Sequence, residues 1–182
     1  MEFSRDEFNR QVEQATAQEP VLRSTWETLQ NRSELEIAAV HLPRLSADSV
    51  VRALGLVRAA EEFRLPPDQG GQPFIPAYQI IRSYIDLMFS EDDTVKALDI
   101  DTRRLDLGEE LAGMVYCNRY SHYVVVVNAS LDEHLQDLLV FQEMKRIAEQ
   151  RPRQLRLIGN DFVNHLEAGL DEYMEAIFSL FL

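Results

Sequence analysis

Four consecutive valines at positions 124–127 constrain the fold of this chain more than any other stretch. β-branched side chains favour extended backbone, and a run that is apolar at every position is typical of a strand buried on both faces. A second apolar run, 111–117, precedes the valines, and the segment NRYS between the two runs supplies turn residues. The two runs therefore predict an antiparallel hairpin.

Helices are predicted on both sides of this hairpin, because apolar residues recur there every three or four positions. Ser130 and Glu133 form a capping-box pattern that predicts a helix from about 131 to 150 directly after the second strand. The other predicted helices cover 3–18, 21–32 after Pro20, 50–63 with its start at Ser46 or Asp48, 77–89 and 160–180. The fold class is therefore α+β and mostly helical, with a small antiparallel sheet packed on the helices at 131–150 and 160–180.

The segment 64–76 holds four prolines and two glycines, which exclude regular structure over most of its length. It marks the clearest boundary in the chain. We predict a helical N-terminal region over 1–64, a Pro/Gly-rich loop or linker over 65–76, and an α+β domain over 77–182.

The charge balance limits the partners that the chain can bind. Eighteen Lys and Arg against 31 Asp and Glu give a net charge of −13, which repels phosphate backbones and anionic membranes. We therefore expect no direct nucleic-acid binding. The chain has one cysteine, no apolar N-terminal segment and no apolar run of the roughly 18 residues that a membrane span needs, so we expect a cytoplasmic protein.

Residues 105–147 contain the predicted hairpin followed by a helix with the sequence QEMKR at 142–146. Gly113 lies in the first strand of the hairpin, and Asn128 ends the second. This block resembles the ImmA/IrrE family of zinc metallopeptidases, in which a hairpin leads through a capped turn into a helix carrying HExxH. The resemblance implies a zincin-like core within 77–182. It also implies a setting in phages or mobile elements, where the family acts in repressor control.

The sequence departs from that family at the residues that perform its chemistry. Gln142 and Arg146 stand where the two zinc-binding histidines would be, and only Glu143, the general base of the motif, is retained. An amide is a poor zinc ligand, and a guanidinium is always protonated and would repel the ion. The later acid that completes the family's metal site has no clean counterpart among Glu167, Glu172 and Glu175. We therefore expect no metal, no cofactor and no catalysis by this mechanism.

Two further interpretations concern the same helix. The QEMKR segment alternatively forms an ordinary solvated helix face, with Gln142, Lys145, Arg146 and Glu149 on one polar stripe. A basic island in this acidic chain comprises Lys145, Arg146, Arg151, Arg153 and Arg156. Its cations either complement the dipole at a helix C-terminus or form a patch for an anion or an acidic partner.

These observations favour a non-catalytic interaction or regulatory protein on a degenerate metallopeptidase-like scaffold, with a protein as its partner. One alternative is a divergent metal-dependent hydrolase that uses Glu143 with other ligands such as His134, His165 or Glu172. A second alternative is an acidic mimic of DNA that occupies a DNA-binding protein, which requires the acidic residues to cluster on one surface.

Overall fold

The computed structural model describes residues 5–42, 45–69, 75–92 and 98–166. The helices in this part are α1 Arg5–Thr16, α2 Pro20–Gln30, α3 Ala47–Glu61, α4 Ile75–Met88, α5 Glu133–Gln150 and α6 Val163–Leu166. The strands are β1 Glu36–Val40, β2 Ile100–Leu105, β3 Leu111–Cys117, β4 Tyr123–Asn128 and β5 Gln154–Gly159. A short 3₁₀ turn, Asn160–Phe162, connects β5 to α6. The chain is thus a mixed α and β protein.

The five strands form one sheet in the order β1-β5-β3-β4-β2. The predicted hairpin is confirmed, because β3 pairs with β4 in antiparallel register with Val115 opposite Val125. The expectation of a wholly antiparallel sheet is wrong. β1 runs parallel to β5 and β2 runs parallel to β4, so the sheet is mixed. The strands β1, β2 and β5 lie outside the segment for which the sequence predicts strands.

The valine run separates two hydrophobic cores, one on each face of the sheet. Val124 and Val126 face the core formed with α1, α2 and α3, whereas Val125 and Val127 face the core formed with α4 and α5. All four side chains are buried. This confirms the prediction of a strand buried on both faces, and it gives a molecule of three layers, with helices on either side of the sheet.

The N-terminal region is not purely helical. It contributes β1 to the sheet, and its helices share one core with residues of β3, β4 and β5. The described part of the Pro/Gly-rich loop runs along the edge strand β2, where Asp68 forms a two-pronged ion pair with the buried Arg104. The backbone N–H of Gln69 also donates to the carbonyl of Arg104 at 2.8 Å. These contacts join the loop to the sheet.

The helices α3 and α5 differ in how their N-termini are capped. Ser46, one of the two starts predicted for α3, caps this helix, and its side chain accepts a hydrogen bond from the backbone N–H of Ser49. α5 begins after Asp132 and not after Ser130, and no side-chain hydrogen bond caps it, so the predicted capping box does not form. The predicted last helix begins as a 3₁₀ turn at Asn160 and is helical over Val163–Leu166, and its remainder lies outside the described residues.

In the described segments, no helix combines the length and apolar character needed to cross a membrane.

Candidate functional site

The QEMKR segment lies in the second half of α5, against the sheet. Glu143 is buried, with only 2% of its surface exposed, while Gln142 and Arg146 are partly exposed. Glu143 and Arg146 are three residues apart, so their side chains lie on the same helix face. The Arg146 guanidinium donates from Nε to Glu143 Oε2 at 3.1 Å, and its Nη2 lies 3.0 Å from the same oxygen.

A second guanidinium reaches Glu143 from strand β5. Arg156 stands opposite Val115 in the sheet and therefore points to the α5 face, while its neighbours Leu155 and Leu157 point to the other core. Its Nε lies 3.4 Å from Glu143 Oε2. One buried carboxylate thus stands between two arginines, each with less than a fifth of its side chain exposed.

Gln154, which is buried at the start of β5, completes this cluster. With its amide oxygen turned towards Arg146, that oxygen accepts a hydrogen bond from Nη1 at 2.7 Å. We call these four residues the Glu143 centre: Glu143, Arg146, Gln154 and Arg156. A buried charge is tolerated when it is paired and hydrogen-bonded, and here the pairing links α5 to β5. The four residues of the predicted polar stripe are partly or fully exposed, namely Gln142, Lys145, Arg146 and Glu149, and Lys145 pairs with Glu149 at 3.7 Å. Glu143, which the stripe does not include, is buried.

The five cations of the basic island contact different parts of the molecule. Arg146 and Arg156 belong to the Glu143 centre. Arg151 caps the C-terminus of α5 in the left-handed conformation and pairs with Asp92 at 2.7 Å. Arg153 donates to the Ser121 hydroxyl at 3.1 Å. With Lys145 paired to Glu149, the five side chains converge on no common ligand within the described part of the chain.

Two of the three residues considered as alternative metal ligands, His134 and His165, lie in the described part of the chain, and they form no metal-binding group with Glu143. His134 lies in the first turn of α5, about 13 Å from Glu143 along the helix axis at 1.5 Å per residue. The ring of His165 on α6 stacks against His41, with 4.4 Å between ring centroids. Among the residues that the structure describes, no three His, Cys, Asp or Glu side chains are placed to hold a metal ion. Glu167, Glu172 and Glu175 lie outside the described residues.

A pocket of about 610 Å³ opens between α2, α3 and the end of β3. Sequence reasoning did not predict it, because its lining comes from segments far apart in the chain. Its lining is mainly apolar in area and also includes hydroxyl and charged groups. The lining residues include Pro20, Val21, Ser24, Leu29, Arg32, Val57, Glu61, Tyr116 and Arg119.

A buried polar cluster lies at one side of this pocket. Arg32 Nη1 donates to the Tyr116 hydroxyl at 2.9 Å and to the Cys117 carbonyl at 3.0 Å. The Tyr116 hydroxyl in turn donates to Glu61 Oε1. Burial raises the pKa of Tyr116, and the hydrogen bond to the Glu61 carboxylate raises it further. The phenol therefore stays protonated and acts as a fixed bridge between the arginine and the carboxylate.

Two exposed aromatic residues lie beside the pocket and form what we call the aromatic patch. Phe63, just after α3, and Tyr120, in the β3–β4 turn, are each 59% exposed, and their ring centroids are 5.7 Å apart. The guanidinium of Arg119 lies 4.9 Å from the Tyr120 ring centroid. Large aromatic side chains at such exposure are costly in water unless something covers them.

The chain matches no protein-family model, no curated protein and no solved structure. Three features of the structure bear on function: the Glu143 centre, the pocket and the aromatic patch.

Proposed function

We propose that the protein is a non-catalytic interaction or regulatory protein, built on a scaffold that resembles the ImmA/IrrE metallopeptidases and has lost their metal site. The observation that carries this proposal is the engagement of the Glu143 carboxylate by Arg146 and Arg156. Glu143, the one residue of the HExxH motif that this chain retains, therefore forms a buried ion pair with two arginines.

The chemistry of the Glu143 centre explains why it is unsuited to catalysis. In a zinc peptidase the glutamate accepts a proton from a metal-bound water, and it must be accessible to that water. Here the carboxylate is buried, and one oxygen is shared by two guanidinium groups that cannot lose their protons. A dication approaching Glu143 would meet two fixed positive charges. We attribute to this centre a structural role that joins α5 to β5.

The aromatic patch supports the interaction part of the proposal. Phenylalanine, tyrosine and arginine are enriched at protein interfaces, and aromatic and arginine anchors contribute a large share of the binding energy. Phe63, Arg119 and Tyr120 present these side-chain types together on one exposed surface. We propose that a protein partner binds there, in the cytoplasm and in a phage or mobile-element setting of the kind that the resemblance implies.

A hydrolase assay tests the non-catalytic part. The purified protein and the variant Glu143→Gln are incubated with casein and with a mixed peptide library, with and without added Zn²⁺. We expect cleavage no faster than in buffer for both proteins. Cleavage by the wild-type protein that Glu143→Gln abolishes would overturn the proposal and favour a divergent hydrolase.

The partner surface is tested by affinity capture from cells of the source organism. The double variant Phe63→Asn with Tyr120→Ser removes both aromatic rings. Asparagine is chosen at position 63 because Phe63 has a left-handed backbone (φ 53°), which asparagine tolerates. The control is Leu87→Ser, which removes a similarly exposed apolar side chain from α4. We expect a protein that is recovered with the wild type and the control and is lost with the double variant. Equal recovery with all three would exclude the aromatic patch as the interface.

A further inference from the structure

A second, smaller pocket, with a volume of about 270 Å³, lies between the C-terminal end of α3 and the strands β2 and β4. Asp101 stands opposite Val124 in the parallel pairing, and Val124 faces the core formed with α1, α2 and α3. Asp101 and Arg103, two residues further along β2, therefore project to that same face of the sheet. We call this cavity the β2 pocket. It is lined by Ala60, Phe63, Leu65, Asp101, Arg103, His122 and Val124.

Asp101 and Arg103 place an acceptor and a donor side by side in the β2 pocket. Arg103 Nη1 donates to Asp101 Oδ1 and to the carbonyl of Thr102, the latter at 2.9 Å. These contacts use one guanidinium nitrogen and one carboxylate oxygen. The side chains of Arg103 and Asp101 are still 31% and 29% exposed. Arg103 Nη2 and Asp101 Oδ2 therefore keep hydrogen-bonding capacity for a ligand.

His122 adds a third polar group, and its ring is held in one orientation. Nδ1 lies 2.7 Å from Asp99 Oδ2, and the ring centroid is 5.2 Å from that of Phe63. The backbone N–H of His122 donates to Asn118 Oδ1 at 3.0 Å. Because Nδ1 is turned to the Asp99 carboxylate, Nε2 is the ring nitrogen left for a ligand. In the neutral ring, with its proton on Nδ1, Nε2 is an acceptor.

We propose that the β2 pocket binds a small neutral molecule with neighbouring hydroxyl groups, of the class of monosaccharides and cyclic polyols. A hydroxyl both donates and accepts, so one hydroxyl of a neighbouring pair donates to Asp101 Oδ2 while the other accepts from Arg103 Nη2. A further hydroxyl donates to His122 Nε2. The C–H face of the ligand ring lies on the side chain of Phe63, which is 59% exposed.

Charge and size both restrict the ligand. The carboxylates of Asp99 and Asp101 oppose an anion, and the guanidinium of Arg103 opposes a cation, so charged ligands are disfavoured. A volume of about 270 Å³ lies just below the range of roughly 300–1,000 Å³ that sites for drug-sized ligands span. The β2 pocket therefore suits a single sugar-sized ring.

The proposal goes beyond the interaction function and does not depend on it. Phe63 belongs to both the aromatic patch and the β2 pocket. Polyol binding is measured on the purified protein without a partner, so its failure and the failure of partner capture are separate results.

Matched probes test the ligand class. D-Glucose, D-galactose, D-ribose and myo-inositol carry neighbouring hydroxyls in different arrangements. Cyclohexanol carries one hydroxyl on a six-membered ring, and myo-inositol 1-phosphate adds an anion. Chemical-shift titrations of the isotope-labelled protein measure each dissociation constant. We expect at least one of the four polyols to bind with a dissociation constant of about 1–10 mM, and cyclohexanol and the phosphate ester to bind at least about tenfold more weakly than that polyol.

Two variants and a matched control locate the site. Arg103→Gln removes the guanidinium from the β2 pocket, whereas Arg52→Gln removes an exposed guanidinium from α3 outside this lining. We expect Arg103→Gln to weaken polyol binding at least about fivefold and Arg52→Gln to leave it unchanged. Asp101→Asn keeps the shape of the carboxylate and should weaken polyol binding by a similar factor. Circular dichroism checks that each variant is folded.

Three results would each overturn the proposal. The first is polyol binding that neither Arg103→Gln nor Asp101→Asn weakens. The second is cyclohexanol or the phosphate ester binding as tightly as the polyols. The third is no binding of any of the four polyols up to about 50 mM.

Discussion

Replacing Glu143 by glutamine removes one negative charge from the Glu143 centre and leaves its shape almost unchanged. In the wild-type protein this carboxylate balances Arg146 and Arg156, whose nitrogens lie 3.0 and 3.4 Å from Glu143 Oε2. After the change, two guanidinium groups remain side by side with an uncharged amide. The helix α5 and the strand β5 then lose the ion pair between Glu143 and Arg156 that connects them, and α5 loses its internal pair between Glu143 and Arg146.

The expected loss of stability follows from the burial of the pair. Removing one partner of a buried ion pair costs about 3–5 kcal/mol, because the other charge is left uncompensated. The two arginines keep 18% and 17% of their side chains exposed, so water relieves part of that cost. We therefore expect Glu143→Gln to lower the free energy of unfolding by about 3 kcal/mol, which corresponds to a fall in Tm of roughly 6–12 °C for a chain of this length.

Urea unfolding followed by circular dichroism and tryptophan fluorescence measures this loss. The matched control is Glu149→Gln, which removes a half-exposed carboxylate from the same helix, where its partner Lys145 is 3.7 Å away. We expect the control to cost at most about 1 kcal/mol, as exposed pairs usually do. Equal and small effects from both variants would refute the structural role assigned to Glu143, as would an unchanged or raised stability of Glu143→Gln.

Three other changes test contacts elsewhere in the fold. Burial raises the pKa of Tyr123 from 10.0 to about 12, so the stability contributed by the protonated phenol is complete below pH 10 and is lost as the pH rises towards 12. In urea titrations at about pH 9 and about pH 11, Tyr123→Phe should lose less stability over that interval than the wild type. Asp68→Asn removes the two-pronged partner of the buried Arg104 and should cost about 2 kcal/mol. Hydrogen exchange at the backbone N–H of Gln69, which donates to the carbonyl of Arg104, should then rise, and unchanged protection would refute the anchoring. A Cβ at Gly159 would overlap the carbonyl oxygen of His41, so Gly159→Ala should cost about 3 kcal/mol or more by thermal unfolding, and a stable variant would contradict the packing of β5.

The parts of the fold that could be predicted are those with a strong local signal. The valine run and its apolar partner are buried on both faces, so the pattern alone indicates a hairpin. Strand β2, with the sequence IDTRRL, lies at the sheet edge and is largely polar, so its composition does not distinguish it from a loop. β5 alternates Leu155 and Leu157 with Arg156, and the arginine was assigned to a basic island and not to a strand.

The candidate site was predictable only in part, for a related reason. Glu143 and Arg146 are neighbours on a helix, so the sequence indicates that they interact. The contact with Arg156 depends on the pairing of β5 with β3, which no local pattern reveals. The pocket could not be predicted from the sequence, because Arg32 and Tyr116 are far apart in the chain and meet only when α2 packs beside β3.

Zinc binding distinguishes a protein that has lost a metal site at the Glu143 centre, as we propose, from one that still holds the ion there. The protein is purified without chelators or affinity metals, its zinc content is measured by elemental analysis, and the metal-free protein is then titrated with Zn²⁺ by calorimetry. The variant carrying both Gln142→His and Arg146→His is measured in parallel, because it restores the two ligands of the motif while leaving Arg156 beside Glu143. For the wild-type chain we expect less than a tenth of a zinc ion after purification and no zinc binding in the micromolar range. For the double variant we expect at most weak zinc binding, because such sites need about three protein ligands. One tightly bound zinc ion per wild-type chain, lost on Glu143→Gln, would show that the Glu143 centre holds a metal and would overturn the proposed loss of the site.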